Sequence, residues 1–318
     1  MIQRNRGSVI AGSATMIGSG VSNQIGAAVG AHAFGAIGPA GVVAVRQFVA
    51  LAVLLPLARP NFRRFTWAQW WPTLTLGVVF AVMNLSLYFA ISRIGLGLAV
   101  TLEFLGPLGV ALAGTRTRPD LLCALGAAAG VYILVLPSAA SDYLGLGSAV
   151  LAAGCWAAYI LLNRLLGQRL PGLQAPAAAT AVSALLYVPV AAVIVAHGRF
   201  GWLPLLYAVG AGLFSSAIPY AADLVSLRRV PVRFFGVFMS IHPVLAALSG
   251  LVLLGQRLGL HEWAGIVVVA GVNAIAVLAA SRRPFLPSKD QIQVPGSSIS
   301  PPLLARETVP ARGASTAT

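Results

Sequence analysis

Ten apolar runs, each of roughly twenty residues, follow one another along this chain with only short polar breaks between them. A bilayer's hydrocarbon core is crossed by about twenty helical residues, and no water is present there to satisfy a broken backbone hydrogen bond. The runs therefore predict an all-α polytopic membrane protein. They are 9–31, 39–57, 71–91, 96–114, 120–136, 145–165, 175–197, 203–222, 234–254 and 262–280. Composition agrees, with 58% hydrophobic residues, 9% charged residues and a mean hydropathy of +0.87.

The formal net charge of +14 does not mark a nucleic-acid protein. Its basic residues sit in the short loops, where they orient a chain in a membrane. Twelve arginines, from Arg4 to Arg233, fall at the N-terminus and in alternate loops, against Arg93, Arg199 and Arg257 in the opposite loops. This bias places both termini in the cytoplasm, and the expected location is a bacterial inner membrane. Residues 1–8 form a short cytoplasmic start. Residues 281–318, rich in Pro, Ser and Thr, read as a disordered cytoplasmic tail.

The chain also reads as if written twice. Arg93–Gly114 and Arg229–Gly250 align without a gap, matching Pro107 to Pro243, Ala111 to Ala247 and Leu112 to Leu248. The same offset lays Gly18 on Gly154. Two five-helix repeats follow, at 9–136 and 145–280. An odd number of crossings per repeat inverts the second copy relative to the first.

Polar residues inside these runs are the candidate site. Glu103 stands in mid-membrane, where a carboxylate costs about 2.5–3.5 kcal/mol to insert. Pro107 removes the helical bond to the carbonyl four residues back, which is that of Glu103. Pro243 is the second helix-breaking proline. Arg46 lies well inside an apolar run and can hold a substrate carboxylate or phosphate through its planar fork. It can equally pair with Glu103 or Asp223, or snorkel to an interface. Asp223 falls near a helix end, and His242 is either a proton site or a packing residue. Asn84, Trp156 and Tyr159 are pocket liners or packing residues. In the first run, Thr15, Ser19, Ser22 and Asn23 share one helical face, which should turn away from lipid.

Other patterns carry no chemistry. His261-Glu262 lacks the second histidine of a zinc protease, and Gly95 with Gly97 lacks the third glycine of a dinucleotide loop. No nucleophile elbow or Walker loop occurs, so no cofactor, metal or catalytic group is expected. Cys123 and Cys155 read as core residues. Gly26 with Gly30, and Gly126 with Gly130, suit close helix packing and leave a homodimer open.

With these residues in view, the chain resembles the EamA-type drug/metabolite transporter superfamily. The likeness rests on Leu151–Arg164 (LAAGCWAAYILLNR) and Gly38–Gln47 (GPAGVVAVRQ). Gly95–Leu112 and Arg228–Leu258 make it most similar to the threonine/homoserine exporter branch. The resemblance implies ten helices in two inverted repeats, no enzymatic activity, and export of a small molecule in exchange for protons. Glu103 and Arg46 match the exporter pattern, whereas His242 stands where related exporters usually carry Glu. Broad drug or metabolite export, and a membrane enzyme or channel, are the alternative functions.

Overall fold

The computed structural model describes residues 6–113, 118–136, 142–198, 201–219 and 239–281. Its regular structure is helical, with no strand among the described residues. The first half of the chain forms α1 Arg6–Ala31, α2 Phe34–Ala58, α3 Trp67–Ile94, α4 Leu96–Glu103, α5 Leu105–Ala113 and α6 Arg118–Val135. After it come α7 Tyr143–Gly167, α8 Gln174–Leu186, α9 Val188–Ala196 and α10 Trp202–Gly212, which continues into a π-helical turn at Leu213–Ala217. The last two are α11 His242–Leu254 and α12 Leu260–Ser281. Asp223, the expected start of the ninth run and the tail lie outside the described residues.

Six stretches are long and apolar enough to cross a membrane: α2, α3, the α4–α5 pair, α7, the α8–α9 pair and Leu260–Leu278. Three shorter apolar helices, Leu121–Val135, Trp202–Ala217 and His242–Leu254, accompany them. With α1, these elements fall on the ten runs read from the sequence.

Side-chain size is distributed as lipid demands. Leu57, Trp67, Leu121, Leu185 and Leu260 are exposed, while the interior is rich in Ala28, Ala99, Ala149, Ala178 and Ala246. In lipid, large apolar side chains gain nothing by hiding, and small ones let backbones approach. Gly26 and Gly30 face Ser215 and Ala211, and Gly126 and Gly130 face Val272 and Val269. Both small-residue pairs are thus occupied by helix contacts within one chain.

Several runs that read as single helices are broken. In α2, Gly38 adopts φ 70°, ψ 166° immediately before Pro39. A proline pushes the preceding residue out of the α region, and glycine accepts the positive φ without strain. Tyr187 separates α8 from α9 just ahead of Pro189, and its hydroxyl donates to Ala81 O at 2.8 Å. Phe104 separates α4 from α5, three residues before Pro107. A turn at Ser240–Ile241 precedes α11, whose first turn contains Pro243.

Between α4 and α11 there is almost no side-chain layer. A Cβ on Gly97 would lie 3.0 Å from Ala247 Cα, so the two backbones touch. Beyond this contact, Gln256 Oε1 accepts from Leu96 N at 3.0 Å, and its side chain fills the space beside Gly95 and Gly250. At the same end of α3, Arg93 Nε lies 2.8 Å from Asp142 Oδ2, and Asp142 Oδ1 also accepts from Gly145 N as the cap of α7. The hydrogen bond from Arg93, with that of Gly145 N, holds the Asp142 carboxyl below the usual carboxylate range. A depressed pKa stabilises the folded state at all pH above the ordinary carboxylate value and is lost only as pH falls through the lowered one.

Candidate transport site

The polar residues that lipid would reject converge on one cavity of about 200 Å³. It is walled by α1, α2, α3, α4, α7 and the π turn, with Met239 and His242 closing it from the α11 side. Arg46, Asn84, Glu103, Trp156, Tyr159 and His242 all line it. From α1, Ser19 and Asn23 of the predicted polar face do so as well. Pro107 and Pro243 do not line the cavity, but each follows the helix break beside a residue that does.

Glu103 is the last residue of α4, 6% exposed, and its carboxylate has no hydrogen bond or ion pair with any described residue. An ionised carboxylate buried without a partner is costly, so with none among the described residues the site suits a proton, a cation or a hydrogen-bond donor. Arg46 comes from α2. Its Nε donates to Ser216 Oγ at 3.1 Å and one terminal nitrogen to Ser215 O at 3.2 Å, while the guanidinium lies 5.2 Å from the Tyr88 ring centroid. Among the described residues, the one ion pair is Arg93–Asp142; Arg46 and Glu103 do not form a second. A basic and an acidic side chain therefore share one cavity without a salt bridge to each other.

The π turn explains how Arg46 is held. Widening the helix by one residue frees carbonyls from the regular ladder, a feature common at functional sites. Here Phe214 O accepts from Ser22 Oγ at 2.8 Å, Ser215 O accepts from Arg46, and Ser215 Oγ donates to Asn23 O at 2.7 Å. The turn thus ties α1 and α2 to α10.

Aromatic groups form the opposite wall. Phe104, at the break between α4 and α5, packs edge-on to Trp156 at 4.7 Å and lies 5.7 Å from the His242 ring. Tyr159 stacks obliquely on Phe80 at 5.6 Å. His242 Nδ1 sits 3.4 Å from Gln24 Nε2, and a Cβ on Gly20 would strike its Nε2 at 2.9 Å. Gln24, Tyr88, Phe104, Ser215 and Ser216 escaped the sequence reading. Two of them carried a signal: Gln24 follows Asn23 of the polar face, and Tyr88 lies one turn from Asn84.

A polytopic helical bundle with a small, charged, mid-bundle cavity defines a membrane transporter. The second half of the chain, residues 143–278, matches the model of the EamA-like transporter family. The threonine/homoserine exporter RhtA of Salmonella typhimurium is 33% identical over 276 residues, covering 86% of this chain and 90% of that one. The Escherichia coli K12 exporter of the same name is 34% identical over 240 residues, or 74% and 81%. A solved crystal structure shares the fold with a TM-score of 0.56 at 20% identity, over 87% of this chain and 99% of that one. The chain belongs to the EamA-like transporter family. It is a transporter and not an enzyme, and it is similar to the threonine/homoserine exporter branch.

Proposed function

We propose that this protein exports small amino acids of the threonine/homoserine type from the cytoplasm, in exchange for protons. One observation carries the reading: Arg46 and Glu103 supply a cation and an anion to one cavity and are not paired with each other. A zwitterion needs one contact of each sign. Arg46 takes the substrate carboxylate, and Glu103 takes either the ammonium group or a proton. The names of the curated relatives support the same substrate class. Pockets for drug-sized ligands usually measure about 300–1,000 Å³. A cavity of about 200 Å³ favours a small metabolite over a broad drug exporter.

The proposed architecture is two inverted five-helix repeats, at 9–136 and 145–280. Three features support it. The helix breaks at Phe104 and Ser240 are separated by the same offset that superposes Pro107 on Pro243. The packing of α1 on α10 has its counterpart in that of α7 on α3. Finally, α2 packs on α8, α4 on α11 and α6 on α12, each a helix against its own equivalent. Such pairings are what an in-plane pseudo-two-fold axis requires.

The direct test is uptake of labelled threonine into everted membrane vesicles that contain the protein. Uptake should saturate, be competed by homoserine, and be driven by a proton gradient. Linear, unsaturable flux would end the carrier reading. Topology has its own check, resting on the arginine bias. Reporter fusions after Leu57 and Arg283 should report cytoplasm and a fusion at Asp142 the outside. A cytoplasmic signal at Asp142 would be incompatible with the inverted five-plus-five arrangement.

A further inference from the structure

Four buried side-chain polar atoms lack a hydrogen-bond partner among the described residues: Gln47 Nε2, Tyr88 Oη, Ser183 Oγ and Asn273 Nδ2. Only Tyr88 belongs to the cavity wall. Its side chain is 0% exposed, held edge-on by Phe34 at 5.9 Å and covered by the Arg46 guanidinium. Leaving a buried hydroxyl unpaired has a free-energy cost that its rigid packing gives no structural reason to accept. A phenylalanine would pack in the same place without that cost.

One turn earlier on the same face of α3, Asn84 shows the complementary half of a site. Its amide nitrogen donates to Phe80 O at 2.8 Å, which leaves the carbonyl oxygen without a partner among the described residues. Residues four apart on a helix are neighbours, so the two groups lie on one strip of cavity wall. The phenol offers a donor and the amide an acceptor. An aliphatic hydroxyl is both acceptor and donor and satisfies each.

We propose that Tyr88 is a specificity-determining residue which, with Asn84, reads the side-chain hydroxyl of the transported amino acid. The inference rests on the proposed export of small amino acids and adds the group that selects among them. Because the guanidinium of Arg46 lies 5.2 Å from the Tyr88 ring centroid, a substrate whose carboxylate is held by Arg46 is bound next to that ring. Sites built to hydrogen-bond a hydroxyl reject the analogue that lacks it, because their own buried groups are then left unpaired.

The deoxy analogue of both threonine and homoserine is 2-aminobutyrate, which provides a clean comparison. In everted vesicles, the wild-type protein should favour threonine over 2-aminobutyrate by at least about tenfold in transport efficiency. Tyr88→Phe should bring that ratio close to one. Its thermal unfolding in detergent should not fall below that of the wild type, since the hydroxyl removed had no partner. An unchanged ratio in Tyr88→Phe overturns the proposal while leaving amino-acid export standing, and so does a wild-type protein that moves both amino acids equally well. A lowered unfolding temperature overturns it too, by revealing a structural partner for the phenol. Wild-type protein that moves none of these amino acids brings down the export reading and this inference with it.

Discussion

Arg46→Lys is expected to lower the proposed threonine export by roughly 30- to 100-fold although it keeps the positive charge. The guanidinium is held by Ser215 O and Ser216 Oγ and lies against the face of Tyr88. That arrangement fixes the plane of the fork, which leaves its remaining N–H groups available to a carboxylate in the cavity. A lysine ammonium is a point charge on a flexible stem and cannot keep both the π-turn contacts and the substrate. Loss of charge-assisted hydrogen bonds of about 1.5–3 kcal/mol each sets the scale. Tenfold in equilibrium corresponds to about 1.4 kcal/mol. Arg46→Gln should reach the membrane and transport even less. If Arg46→Gln fails to accumulate and the charge-swapped pair with Glu103 restores it, the arginine is structural and the assignment is wrong.

Glu103→Gln is expected to separate transport from its driving force. Glutamine imitates the protonated carboxyl at nearly the same size, so preloaded vesicles should still exchange labelled for unlabelled substrate. Accumulation driven by a pH gradient should disappear. With one proton exchanged per substrate, one pH unit is about 1.4 kcal/mol and supports about tenfold accumulation; the variant should stay near equal concentrations on both sides. Gradient-driven accumulation that survives with the same pH dependence removes Glu103 from coupling and moves the search to His242 and Asp223.

Charge made half of this site visible in the sequence. Arg46, Glu103 and Asn84 stand out because an apolar run tolerates them only for a reason, and Pro107 marks the break beside Glu103. Tyr88 gave no such warning, for a tyrosine is at home in a core, at an interface or in a pocket. Ser215 and Ser216 are small enough to pass as packing residues. Their role depends on a π turn that no local pattern announces, since its freed carbonyls acquire meaning only when α1 and α2 arrive. Fold class was easier, because hydrocarbon thickness dictates run length. Where helices break was partly legible: Pro39, Pro107, Pro189 and Pro243 each sit just after an interruption. The extension of α2 back to Phe34 was not, as it needs Gly38 to carry a kink inside one helix.

The contact of Gly97 with Ala247 bears on the tempo of the proposed carrier. A barrier made of a bulky side chain can swing aside by rotamer change in picoseconds to nanoseconds, as a pore's does. Where α4 meets α11, at Gly97 and Ala247, the contact is between main chains, with the Gln256 side chain beside it. If substrate passes at that end, one helix must part from the other and Gln256 must release Leu96 N, a collective displacement on the microsecond-to-millisecond scale. Flux through such an opening is metered by the backbone, load by load.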